Sequence, residues 1–335
     1  MGQKNEAMLS YLEDDGRFAD LFNQSYFGGR QVVDARELEE ASEAYHEKPG
    51  VKGGGRARDL KKRLKSGREL KILAVESQSE INYIMPWRVM DYDSREYGEQ
   101  IRKAQRENRR RDKAGEEVYK SAGERMSGMG REERLAPVYT ICLYHGAEPW
   151  DGPRSLKDMM DFGEAGEEAG GSEWEEHFAD YPLHLVSVCE PMDCSGFRTS
   201  LKELFTILPY HGDKKRLKEF MGKASAYRRL DDETASTISV LLGIGKYEEE
   251  KEKYRTEEGE YDLCKAIEDM MEDSRQEGIV EGEARGEARG EARGDARRII
   301  SVTESIMKNL HCTLERACEI AGMPLAEYRQ AKTML

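Results

Sequence analysis

The sequence predicts an α/β fold carrying a helical C-terminal extension, and three observations lead there. Residues 70–78, 136–144 and 183–188 are short, β-branched and aromatic-rich apolar runs of strand length. Residues 5–27, 85–108 and 196–242 repeat apolar side chains at helical spacing, as helices that cover a sheet do. From residue 246 onward charge dominates and a four-residue repeat appears, so the end of the chain should be helical and separate. With 335 residues and 38% hydrophobic content, the chain can bury one sizeable core plus an appendage. The expected division is a domain over 5–245, a charged linker over 246–298 and a small helical module over 299–335.

The elements follow in order. Met8, Leu9, Leu12, Phe18, Leu21 and Phe22 predict one helix over 5–27, stopped by Gly28-Gly29. Val32 and Val33 open an acidic stretch suited to a short helical excursion. Gly53-Gly54-Gly55 reads as a turn, because G-x-x-x-x-G-K-[ST] is absent and no helix follows to build a phosphate cradle. A short strand over 57–60, a basic turn, and the strand over 70–78 come next. Pro86 suits the first turn of a helix over 85–108. Residues 109–134 are charged and glycine-bearing, as a loop or insertion is. Residues 164–173 read as a loop between the two later strands. In the tail, G-E-A-R occurs three times from Gly282, followed by G-D-A-R. On a helix this period stacks Gly on Gly and like charge on like charge, and each Gly costs ~1 kcal/mol relative to Ala. Its small-residue stripes would admit a second copy of the helix, making a homodimer; a charged spacer is the alternative. Thr313 as an N-cap, Gly322 as a stop and a second helix from Leu325 predict a small helix-turn-helix. Glu315, Glu319 and Glu327 offset Arg316 and Arg329, which favours protein contact over DNA reading.

The chemistry is expected where the strand 70–78 turns polar. Period two puts Glu76 and Gln78 on one face, and pairing with 57–60 would bring Asp59 close to Glu76. Two carboxylates facing each other at the end of a buried strand are costly unless a cation neutralises them. All-oxygen ligation with few protein groups suits Mg²⁺. Asp59 followed by Glu76-Ser77-Gln78 resembles the PD-(D/E)XK nuclease core. The flanks F-A-D-L-F-N (18–23), A-V-E-S-Q through G-E-Q (74–100) and P-V-Y-T-I-C-L-Y-H-G (137–146) resemble the recombination-promoting nuclease and transposase-like family across roughly residues 5–245. The resemblance implies a restriction-endonuclease-like mixed sheet flanked by helices and a metal-dependent DNA endonuclease that works in recombination or mobile-element biology. Asp59, Glu76 and Gln78 would be catalytic. Asp59, Glu76 and the Ser77 carbonyl would hold Mg²⁺, or Mn²⁺ in its place. It adds Asp20, Arg88 and Gln100 as accessory groups, with a solvent-facing Asp20 and a surface-paired Arg88 as the alternatives. Gln78 stands where the family core more often has Lys, keeping a hydrogen-bond donor but losing the positive charge. A DNA-binding protein that keeps the fold without cutting is the competing expectation.

The net charge of −14 argues against nucleic acid until its distribution is read. Residues 52–71 hold nine basic side chains against two acidic ones, and residues 102–113 hold seven against two. Both flank the expected carboxylates, and Arg56, Arg58, Lys61, Lys62 and Arg63 are the expected phosphate contacts. For 102–113 a solvated charged surface is an equal alternative. Six cysteines without C-x-x-C spacing predict reduced thiols and no zinc site. His145 and His184 lie near strands with no nucleophile signature beside them. No apolar run approaches the ~20 residues of a membrane span and no signal segment is recognisable, so a cytoplasmic protein is expected.

Overall fold

The computed structural model describes residues 2–41, 59–66, 69–162 and 173–335. They form two compact units, 1–267 and 268–335. The first is α/β, a five-stranded mixed sheet flanked by helices; the second is helical.

The first unit begins with α1 (Gln3–Leu12) and α2 (Asp15–Phe27), where the sequence predicted one helix. Asp14 makes the break: its side chain accepts from the Arg17 backbone N–H at 2.9 Å, capping α2. Gly28 ends α2 at φ 60°, a left-handed conformation that glycine adopts without steric cost. Strand β1 (Leu38–Glu40) follows, in the stretch expected to be helical. β2 (Leu60–Ser66) then occupies most of what was expected to be a basic turn, and Asp59 lies just before it. The basic run is strand because its residues alternate between two buried environments: Lys62 and Leu64 are 4% exposed toward one face, while Lys61 reaches the other. Residues 57–58 of the expected strand lie outside the described residues.

β3 (Glu69–Gln78) pairs antiparallel with β2 in the register Leu60↔Val75 to Ser66↔Glu69. α3 (Met85–Lys113) then returns the chain, and beyond it lie α4 (Ala122–Ser127) and β4 (Val138–Tyr144). β4 runs parallel to β3, and β5 (Leu185–Ser187), which follows the single turn α5 (Glu173–Glu176), runs parallel to β4. Strand order is β1-β2-β3-β4-β5 with antiparallel pairs on one side and parallel pairs on the other.

The two sheet faces are covered differently. α3 lies on one, where Met85 and Val89 pack with Cys142, Tyr144, Trp150 and Leu183. Its inward positions recur at i+3 and i+4 from Met85 to Gln100 and include Asp93, whose carboxylate accepts from Thr140 Oγ1 at 2.8 Å and from the Tyr181 hydroxyl. On the other face lie α1 and α2, and Lys62 reaches the Glu13 carbonyl and Asp15 there. α6 (Leu201–Ile207), α7 (Lys214–Met221) and α8 (Asp232–Leu242) extend this layer, with Tyr11 of α1 bonded to Thr234 of α8 at 2.8 Å. α9 (Tyr247–Glu250) opens the charged stretch after residue 246, which packs on this unit because Tyr247, Tyr254 and Tyr261 recur every seventh residue and are all buried.

The 48-residue α10 (Leu263–Leu310) carries the G-E-A-R repeats and is exposed on every side from 277 to 291. α11 (Leu314–Ala321) and α12 (Leu325–Met334) complete the second unit, with Thr313 capping α11 at 3.4 Å and Gly322 ending it at φ 69°. All six cysteines are free thiols. Among the described residues no helix is long and apolar enough to cross a membrane.

Candidate active site

β3 is apolar through Ile72, Leu73, Ala74 and Val75 because both its faces are covered; that cover extends over Glu76 and Ser77 and opens only at Gln78. Alternation points Glu76 and Gln78 to the α3 face and Ser77 to the α1 face. The register, continued one residue past Leu60↔Val75, sets Asp59 opposite Glu76. Beyond that last pair the Ser77 N–H has no ladder partner on β2, and Asp59 Oδ2 accepts it at 2.9 Å. The expected meeting of Asp59 and Glu76 thus comes from the hairpin register plus one side-chain hydrogen bond.

Glu76 is fully buried, and Arg88 Nη2 binds its Oε2 at 3.2 Å. Arg88 Nε donates to the Tyr92 hydroxyl one turn along at 3.1 Å, which orients the guanidinium. Burial pushes the Asp59 carboxyl up from its ordinary range, with the Ser77 N–H and the Arg88 charge opposing. Burial disfavours the Arg88 charge as well, but Glu76, Tyr92 and Asp59 outweigh it and hold the guanidinium protonated. The Arg88 guanidinium therefore acts on both carboxylates. The Cys142 thiol, opposite Glu76 on β4, is pushed far up by burial and then by the Glu76 charge, so it is inert.

Gln78 folds back on its own strand, its Nε2 donating to the Ser77 carbonyl at 2.8 Å. That carbonyl remains an acceptor with a second lone pair. Two carboxylates and a carbonyl are the hard-oxygen donors that Mg²⁺ takes while keeping several waters, so this donor set fits the ion. Among the described residues no three His, Cys, Asp or Glu side chains are grouped as a metal shell. Any ion here would depend on the carbonyl and on solvent to complete its coordination.

The other expected residues lie elsewhere. Asp20 is buried, not solvent-facing, and its Oδ2 accepts from the Arg198 and Thr199 backbone N–H groups and the Thr199 hydroxyl at 2.7–2.8 Å. It ties α2 to the chain before α6. Gln100 clamps the backbone ahead of β4, donating to the Ala136 carbonyl at 3.2 Å and accepting from its N–H at 2.7 Å. It stands twelve residues beyond Arg88, ~18 Å along α3, and so outside the site. Lys61 and Lys62 are also corrected as phosphate contacts. Lys61 forms a buried pair with Glu96 at 3.0 Å, and Lys62 is engaged with Asp15 at 2.5 Å. Arg63 remains available in β2, while Arg56 and Arg58 lie outside the described residues.

A second polar cluster on the opposite face escaped the sequence. Ser77 Oγ meets His145 Nε2 at 3.0 Å, and Lys4 Nζ meets His211 Nε2 at 2.9 Å nearby. Burial, followed by the Lys4 and His211 charges, holds the His145 imidazole down at about 4, so it is neutral. No spacing in the chain signals this cluster, because its members come from α1, β3, the residue after β4 and the segment after α6. Asp93 and Glu96 did leave a signal, since both occupy inward i+3 and i+4 positions of a helix whose other inward residues are apolar. Compared with known proteins, the chain matches no family model, no curated protein and no solved structure.

Proposed function

We propose that this chain is a metal-dependent endonuclease that hydrolyses DNA phosphodiester bonds on a PD-(D/E)XK-like core. The observation that carries the reading is the placement of Asp59 and Glu76 together at the polar end of the central strand, one desolvated and the other fully buried, with one arginine serving both. A scaffold gains little from two such carboxylates, since taking an ionised carboxylate out of water costs several kcal/mol. Asp59, Glu76 and the Ser77 carbonyl would hold Mg²⁺, or Mn²⁺. The ion would lower the pKa of a bound water and neutralise charge developing on the phosphate. Arg88 supplies a fixed positive charge to the same phosphate, oriented by Tyr92. Gln78 steadies the Ser77 carbonyl through its amide nitrogen and leaves its own carbonyl oxygen to accept from a water. Recombination or mobile-element processing is the setting proposed for this activity, and self-association through the exposed repeat of α10 is proposed as its assembly mode.

A DNA-binding protein without cleavage is the second reading, favoured by the Arg88–Glu76 pair and by Gln78 in the place of a lysine. Nicking of supercoiled plasmid separates the two. The native chain should cut with Mg²⁺ or Mn²⁺ and not with EDTA, and Asp59→Ala and Glu76→Ala should each lower the rate at least ~100-fold. Absence of cutting by the native chain, or cutting that survives both substitutions, discards the site.

A further inference from the structure

A groove of about 1000 Å³ opens between β2, the second half of α3 and the segment leading into β4. Leu70, Ile72 and Pro137 contribute to its floor, and it lies on the α3 face of the sheet at the end of the strands opposite Glu76. The distance from Arg88 to Arg106 along α3 is ~27 Å.

Cations are in excess in this groove once its ion pairs are accounted for, although Glu133 is held by neutral donors and keeps its charge. Each lining carboxylate is engaged: Glu96 by Lys61 at 3.0 Å, Glu99 by Arg102 at 2.6 Å, and Glu107 by Arg110 at 2.7 Å. Glu133 accepts from Asn108 at 2.8 Å and from the Gly130 N–H at 2.7 Å. Arg63, Lys103 and Arg106 pair with no carboxylate among the described residues. Lys103 and Arg106 are three apart and share one flank of α3, and both are exposed. Arg109 and Lys113 continue the cationic end of the helix without a carboxylate partner, a span of ~15 Å from Lys103. A compact anion would satisfy two such groups at most. A row of this length, beside a groove and on a chain of net charge −14, matches the evenly repeated charge of a phosphodiester backbone.

We infer that this groove binds the backbone of duplex DNA as an anchoring site remote from Asp59 and Glu76. The inference deepens the nuclease proposal and rests on DNA as the ligand, but not on the carboxylates cutting it. A backbone spanning from Arg88 to the groove covers roughly eight base-pair steps, given ~3.4 Å per step along one strand.

The test is fluorescence anisotropy of the full chain with a duplex of about 30 base pairs, in EDTA, across 50–200 mM salt. The combined variant Arg63→Ala, Lys103→Ala, Arg106→Ala should bind at least ~10-fold more weakly, and its log–log salt slope should drop by about 2 to 3, reflecting three lost phosphate contacts. All three side chains are at least partly solvent-exposed, and a thermal melt matching the native one verifies the fold. An unchanged affinity and slope in the combined variant overturns the groove, as does a native chain that does not bind the duplex. Tight binding of poly-glutamate with the same residue dependence, in place of DNA, overturns it in favour of an acidic protein partner. Plasmid nicking that survives the carboxylate substitutions, alongside lost anchoring in the combined variant, discards the active site and leaves the groove standing.

Discussion

The two faces of β3 handle polar groups in opposite ways. On the α3 face, Glu76 is buried beside Asp59, with Arg88 as the guanidinium that acts on both. On the α1 face one residue later, Ser77 and His145 form a neutral hydrogen bond, and burial keeps the imidazole uncharged. Both pairs sit under similar cover, so burial alone does not account for the difference. A structural polar pair settles into the neutral form that burial favours; a buried carboxylate is held instead beside a guanidinium.

The largest expected effects come from removing a cation on the charged face. Arg88→Ala should cost about 3–5 kcal/mol in urea unfolding by leaving Glu76 buried without its guanidinium, and the double variant with Glu76→Gln should recover most of the loss. Lys61→Ala should cost a similar amount through Glu96. A small cost for both would mean that these charges are solvated in the native ensemble and the contrast between faces is false.

The neutral face makes a prediction about pH. The folded-state pKa of His145, about 4, lies below its ordinary 6.5, so the folded state binds fewer protons than the unfolded chain between those values. The stabilisation is present in full above about 6.5 and is lost as pH falls toward 4, amounting to about 3 kcal/mol. His145→Gln should flatten urea-derived stability over that window. If the slope persists in the variant, other groups carry it.

Gln100→Ala should lose about 1–2 kcal/mol through its two bonds to Ala136 while leaving plasmid nicking intact, as befits a backbone clamp outside the site. The smallest effect sharpens the comparison most. Asp59 has its proton affinity raised in the fold, so its charged form works against stability at neutral pH. Asp59→Asn keeps an oxygen for the Ser77 N–H and should change stability by no more than about 1 kcal/mol, with a gain expected, while abolishing nicking. A large destabilisation would assign Asp59 a structural role.

Strand β3, its polar end and the face shared by Glu76 and Gln78 were determined by the sequence, because period-two alternation is a local property of extended chain. So were the capped helices of the tail, where Thr313 and Gly322 act within one turn of themselves. The basic strand β2 was misread because lysine has low strand propensity, and only burial against Glu96 on one face and Asp15 on the other makes extended backbone favourable there. The fates of Lys61, Lys62 and Asp20 depended in the same way on partners that the chain supplies from distant elements. Tertiary structure alone decided that Arg88 binds Glu76, that Gln78 turns onto the Ser77 carbonyl, and that Lys4, His211, Ser77 and His145 share one corner. Charge pairing acts over a few ångströms of space whatever the separation in sequence, and the register of the β2–β3 hairpin and the return path of α3 set which charges come within that reach.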